Sequence, residues 1–319
     1  FRRVLFRSRN TSSPLSVSSF TIGSQTPALA QVTAVPTPDN VTTPNYTFFS
    51  TLPGTINYSG DCSSSVTSAN ADNNTIAFRK PSGGVLDEGT YSNCKISVTS
   101  SSSGLTSDNL SVDNFTIDIT APSLAATTLV PSLTNDNTPN YIFSSNEAGT
   151  ITYGGNCSSS TTAAAADNNT ITFNTLNDNT TYSNCKITVT DNAGNTSSTL
   201  DVNYFTIDTT EPSLSQVTAV PTPDNDSTPS YTFSSTEAGV ITYSGGCGSS
   251  SSSATSGDNT VILTQSDNST ALSDTTYNCT IRVTDNASNT SSALSVTQFV
   301  IDTTGPTVAE VTAVNTPGN

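Results

Sequence analysis

Apolar and polar residues alternate in short bursts along most of this chain, and Gly, Asn, Asp and Pro separate the bursts. Residues 122–208 show the pattern. Tyr141 and Phe143 share one parity in Asn140-Tyr-Ile-Phe-Ser, as do Ile151 and Tyr153 in Gly149-Thr-Ile-Thr-Tyr-Gly. Ile171 and Phe173 share one parity in Thr170-Ile-Thr-Phe. In Cys185-Lys-Ile-Thr-Val-Thr, Cys185, Ile187 and Val189 fall on one face, and Lys186 and Thr188 on the other. Successive side chains of a strand point to opposite faces, so each burst predicts a strand with one buried face. The residues between them are turn formers. The closing strand contains a slip: Leu200 and Val202 have one parity, Phe205 and Ile207 the other. Leu110, Val112, Phe115 and Ile117 repeat it, which predicts a β-bulge, where one extra residue swaps the buried face. With a leading strand near Leu214–Val220 and its equivalents, about seven strands fit one segment, the number of an immunoglobulin-type β-sandwich.

The segment recurs. Its exit peptide reads FTIGSQTP at 20–27, FTIDITAP at 115–122, FTIDTTEP at 205–212 and FVIDTTGP at 299–306, and the closing prolines are 95, 90 and 94 residues apart. A fixed period of this kind predicts tandem structural units. The expected organisation is repeat 1 at 27–120, repeat 2 at 121–210 and repeat 3 at 211–304. Residues 10–26 read as the last strand of a truncated repeat, and 305–319 as the first strand of a further one. Residues 1–9 resemble one translated frame of a sequencing adapter, because the match to the repeat resumes at Asn10.

Excluding that stretch changes the charge. It holds four of the nine basic residues and no acid, so 5 basic residues face 25 acidic ones elsewhere, a net of −20. Such a chain repels nucleic acid and anionic lipid and suits divalent cations or a saline exterior. No apolar run is long enough to span a bilayer. Thr, Ser and Asn dominate while Met, Trp and His are absent. The strictly placed apolar residues argue for an all-β fold over disorder.

The cysteines form one pair per copy: Cys62 and Cys94, Cys157 and Cys185, Cys247 and Cys279. One follows the third strand and the other begins the sixth, both with inward parity. In a seven-stranded sandwich those strands are antiparallel neighbours. This predicts one disulfide per repeat and an oxidising compartment. Zinc is the rival reading, and it lacks CxxC spacing and His ligands.

The run TYSNCKITVTDNAGNTSSTLDVNYFTIDTTEP (181–212) resembles the tandem bacterial Ig-like repeats of large surface adhesins and biofilm-associated proteins. The shared marks are Tyr182 before the sixth strand, the turn Asp191-Asn-Ala-Gly-Asn195 and the joint Asp208-Thr-Thr-Glu-Pro212. Repeat 3 keeps Tyr277, Asp285-Asn-Ala-Ser-Asn289 and Asp302-Thr-Thr-Gly-Pro306. Repeat 1 departs, with Ser100-Ser-Ser-Ser-Gly104 at the turn. The resemblance implies an extracellular, cell-surface stalk whose neighbouring repeats pack end to end and project a binding tip towards host or matrix ligands. It also implies structural calcium at domain joints.

Calcium needs six to eight oxygens, several from carboxylates. In an end-to-end array, the joint Asp of one repeat meets two loops of the next. These supply Asp118, Glu147 and Asp191 at one joint, and Asp208, Glu237 and Asp285 at the following one. Asp302 opens a third, and Asp39 and Asp136 stand nearby as further donors. At the joint before repeat 1 the equivalents are Gly23, Leu52 and Ser100, so all three acids are lost as a set. Asp and Asn are also ordinary turn residues, and both readings stand at this point.

An enzyme is not expected. The chain has no His to serve as base, no unpaired Cys and no Gly-rich phosphate cradle, and its acids recur in every copy. A carbohydrate-binding module is the alternative function, since β-sandwiches bind sugars on exposed aromatics. Most Tyr and Phe here have core parity, which favours packing; Tyr204 has the weakest assignment, and its counterparts are Asn114 and Gln298.

Overall fold

The computed structural model describes residues 25–309 and residue 311. The expectations for residues 1–24, 310 and 312–319 lie outside these. Contacts divide the chain into two compact units. The first runs to Thr120 and takes in Asn192–Asn195; the second holds Ala121–Asp191 and everything from Thr196. The described residues form strands, turns and loops, with no helix among them.

The second unit contains two β-sandwiches. In that of repeat 2, Asn140–Ser145 lies between Leu124–Thr128 and Asp167–Thr172, antiparallel to both. The facing sheet pairs Gly149–Gly154 with Lys186–Asp191, and Ala163–Ala164 and Leu200–Asp201 form its edges. The third and sixth strands are therefore antiparallel neighbours. The alternation decides what is buried: Tyr141, Phe143, Ile151, Ile171, Phe173, Ile187 and Val189 make one core between the sheets. Rings carry part of that contact, with Tyr141, Phe173, Phe205 and Tyr182 stacked in series at centroid distances of 6.5, 6.1 and 5.4 Å. Such pairs add about 0.5–1.5 kcal/mol each beyond area burial.

Repeat 3 repeats the architecture around Tyr231, Phe233, Ile241, Ile281 and Val283. The first unit's sandwich does so around Tyr46, Phe48, Ile56, Ile96 and Val98. Each sandwich contains one disulfide, Cys62–Cys94, Cys157–Cys185 or Cys247–Cys279, with Cα–Cα distances of 5.3, 5.2 and 5.6 Å. These lie within the span a disulfide bridges.

Two expectations need correction. The closing strand is not bulged; it changes sheets. Leu200–Asp201 pairs with Lys186–Ile187, whereas Phe205–Ile207 leaves that sheet and pairs antiparallel with Thr180–Tyr182 and parallel with Leu133–Thr134. Crossing from one layer to the other inverts which parity faces the core, so Val202, Phe205 and Ile207 are all buried. The true register irregularity lies in the leading strand, between Ala126 and Thr128, and likewise at Gln31/Thr33 and Gln216/Thr218. The second correction concerns number. Repeat 2 has ten strand segments, because its leading and closing strands both switch partner and Thr180–Tyr182 is a segment of its own. Tyr182 accordingly pairs with Phe205 instead of opening the Lys186–Asp191 strand.

Candidate metal centre at the joint of repeats 2 and 3

Three carboxylates converge where repeat 2 hands over to repeat 3, inside the second unit. Strand register brings two of them together. Gly239 and Asp285 are direct partners in the Gly239–Ser244/Thr280–Asp285 ladder. Glu237 stands two residues before Gly239, in a turn closed by the Ser235 hydroxyl, which donates to Glu237 O at 2.6 Å. Only glycine fits at 239, because a Cβ there would lie 2.2 Å from Thr284 O. Asp285 is buried at 8 % exposure. Its carboxylate accepts the Asn289 backbone N–H at 2.9 Å and the Asn289 side-chain amide at 2.9 Å.

Repeat 2 supplies the third. Asp208 follows the Phe205–Ile207 strand, held by its N–H donating to Thr134 O at 3.0 Å. Its Oδ1 accepts the Thr210 N–H at 3.2 Å, and its carbonyl accepts the Asn289 amide at 2.8 Å. Asp208, Glu237 and Asp285 each offer an oxygen, all within 4.8 Å of one another; Asp208 and Glu237 are half-buried and Asp285 is buried. The Glu237 carboxyl is held above its ordinary range, first by burial and then by the charges of Asp208 and Asp285. The donors are all oxygen, with neither His nor Cys among them. That fits a hard cation such as calcium, with water completing the shell, and does not fit zinc.

The other predicted acids are placed as follows. Glu147 and Asp191 occupy the same positions in repeat 2, since Gly149 pairs with Asp191 and the Ser145 hydroxyl donates to Glu147 O at 2.6 Å. Asp118 belongs to the first unit, where its N–H donates to Asp39 O at 3.0 Å and its Oδ1 accepts the Thr120 N–H at 3.1 Å. Asp136 does not join the Asp208 group; its Oδ1 takes the Thr138 N–H and hydroxyl at 2.9 and 3.1 Å within its own loop. Asp39 likewise turns back, accepting the Val41 N–H at 3.1 Å. Asp302 is outside any group of three acids among the described residues. Tyr204 is 68 % exposed, a single ring with no aromatic neighbour stacked on it among the described residues.

Sequence reasoning missed a second set of side chains at the joint. Asp178 Oδ1 accepts the Thr209 N–H at 2.6 Å, and its Oδ2 accepts the Thr210 hydroxyl at 2.8 Å. Asp274 treats Thr303 and Thr304 in the same way. Glu88 keeps one such bond, to the Thr120 hydroxyl at 2.7 Å. A signal was present: each acid stands two residues after a leucine, in Leu86-Asp-Glu88, Leu176-Asn-Asp178 and Leu272-Ser-Asp274.

The strand order and the separate core of each repeat define a class, the tandem Ig-like β-sandwich repeat. Two solved structures are similar to the chain. One is the D00–D0 domain of intimin, with 17 % identity, covering 56 % of this chain and 99 % of that one at a TM-score of 0.27. The other is a tetra-tandem repeat in the extending region of a large adhesion protein, with 18 % identity, 88 % and 74 % coverage and a TM-score of 0.26. No family model and no curated protein matches the chain.

Proposed function

We propose that this chain is a structural stalk segment of a large extracellular adhesin, and that calcium held at its joints stiffens it. The observation that carries the reading is the trio Asp208, Glu237 and Asp285, contributed by the exit peptide of one repeat and two loops of the next. The hairpins themselves do not demand these acids. In repeat 1, Ser100 takes the place of Asp285, and its hydroxyl accepts the Ser102 and Ser103 N–H groups at 3.3 Å each. Three carboxylates so close together repel one another unless a cation sits among them. The role is mechanical: each repeat has its own disulfide-bonded core, and the trio bridges repeats 2 and 3. Within repeat 2, Glu147 and Asp191 hold the positions that Glu237 and Asp285 hold in repeat 3.

Calcium titration of the full chain tests this, followed by calorimetry and by small-angle scattering. The expected result is saturable binding that narrows the distribution of shapes and is reduced in Asp208→Ala. Identical isotherms for the two proteins at millimolar calcium would reject the metal centre.

A further inference from the structure

The joint contains a second device that uses no metal. Its anchor is the buried leucine of the Leu-x-acid triplet. Leu176 is 7 % exposed, and its N–H donates to Asn137 O at 2.8 Å. Leu272 is 3 % exposed and bonds Ser227 O in the same way at 2.8 Å. The next residue is fixed by a tyrosine: the Tyr182 hydroxyl accepts the Asn177 N–H at 2.8 Å, and the Tyr277 hydroxyl accepts the Ser273 N–H at 2.9 Å. An apolar anchor and a ring therefore immobilise the two residues before Asp178 and Asp274. The acid that follows projects into the exit peptide from a rigid base.

There it grips two consecutive residues. Asp178 takes the Thr209 backbone N–H and the Thr210 hydroxyl on separate oxygens, a bidentate, charge-assisted arrangement. The accepted bonds hold its carboxyl below the ordinary range, the Thr209 N–H first and the Thr210 hydroxyl second. Asp274 is held low in the same way, by the Thr303 hydroxyl and N–H and then by the Thr304 hydroxyl. From the other side, Asn289 of repeat 3 donates to Asp208 O at 2.8 Å. Residues 208–210 are thus bonded to the repeat they leave and to the repeat they join.

We propose that Asp178 is the positioning residue of this joint: it locks the Asp208-Thr-Thr210 peptide to repeat 2, so that repeat 2 fixes the direction in which repeat 3 projects, whether or not a cation is bound. Asp274 does the same for the peptide leaving repeat 3. Glu88 is a weaker form, with one bond to Thr120 in place of a grip on two residues. The clamp rests on the stalk reading only for its purpose, since its geometry is independent of calcium.

The test uses the full chain with all disulfides intact, in chelator throughout. The failure of the calcium reading therefore leaves it untouched. Amide exchange at Thr209 reports the clamp directly. Spin labels on unnatural residues at exposed Asn168 and Asp258 report the angle between repeats 2 and 3. In Asp178→Ala, Thr209 exchange is expected to accelerate on the order of tenfold, as for loss of a hydrogen bond to a charged group. The label-to-label distance distribution broadens, while the unfolding midpoint of repeat 2 stays within about 2 °C. Asp178→Glu, copying Glu88, falls between the two. Thr210→Val removes one bond of the clamp without touching the loop and should broaden the distribution less. Unchanged exchange and unchanged distances in Asp178→Ala would overturn the proposal. So would broadening in Asp178→Ala that comes only with a lowered midpoint while Thr210→Val behaves as wild type.

Discussion

The leading ends of repeats 1 and 3 have the same backbone and opposite chemistry. In both, a glycine opens the third strand directly opposite the first residue of the turn: Gly54 against Ser100, and Gly239 against Asp285. In both, a serine hydroxyl closes the preceding turn, Ser50 onto Leu52 O at 2.7 Å and Ser235 onto Glu237 O at 2.6 Å. Yet repeat 1 carries Leu52 and Ser100 where repeat 3 carries Glu237 and Asp285. The contacts to the preceding peptide differ as well. Ser103 donates to Gln25 O at 2.9 Å in repeat 1, and Asn289 donates to Asp208 O at 2.8 Å in repeat 3. The lesson is that the fold fixes where two loop residues meet, and leaves open what they are.

What the two repeats share should fail equally in both. Cys62–Cys94 and Cys247–Cys279 each enclose a sequence separation of 32. Replacing either pair by serine should cost roughly 3.5 kcal/mol in the chain-entropy picture. Denaturant unfolding of each repeat checks this, and a marked difference between them would show that the repeats are not equivalent scaffolds. The glycines come next. A Cβ at Gly54 would meet Thr99 O at 2.1 Å, and one at Gly239 would meet Thr284 O at 2.2 Å. Ala at either should destabilise its repeat by about 1–3 kcal/mol, through forced separation of the strands.

What the repeats do not share should be exchangeable. Glu237→Leu with Asp285→Ser gives repeat 3 the loop residues of repeat 1. Without calcium the relief of like-charge repulsion offsets the loss of the two bonds that Asp285 accepts from Asn289, so stability should change by no more than about 1 kcal/mol. The calcium response of the joint between repeats 2 and 3 should disappear. A clear loss of stability in chelator would show instead that the acids hold the turn.

The smallest effect concerns a loop specific to repeat 3. Asp267 is pulled down to about 2, chiefly by the Thr270 hydroxyl and then by the Thr270 and Ser269 N–H groups. A depressed carboxyl stabilises above its unfolded value and loses that contribution as pH falls through the folded one. The protection factors of the Ser269 and Thr270 amides should therefore hold at pH 4 and fall towards pH 2, while the corresponding region of repeat 1 shows no such step.

Much of the sandwich was legible in the sequence. Tyr141, Phe143, Ile187 and Val189 alternate with polar neighbours, and period-2 alternation maps directly onto an inner and an outer face. The repeat itself made the acidic trio visible, because Gly23, Leu52 and Ser100 replace all three members together. The closing strand was misread because a bulge and a change of sheet leave the same parity slip; only the partners of Phe205–Ile207 distinguish them. The linker clamp was missed because Asp178 and Thr209 are 31 positions apart and neither stands out locally.

The sequence by itself determined the period, the main strands and the residues they bury, since each follows from local alternation or from comparing one copy with the next. Only the tertiary structure decided which oxygens meet. Asp208, Glu237 and Asp285 come together through strand register across two repeats, and Asp178 reaches the exit peptide because Leu176 and Tyr182 hold the loop before it. Those approaches depend on packing between distant segments, and packing is not written in any local pattern.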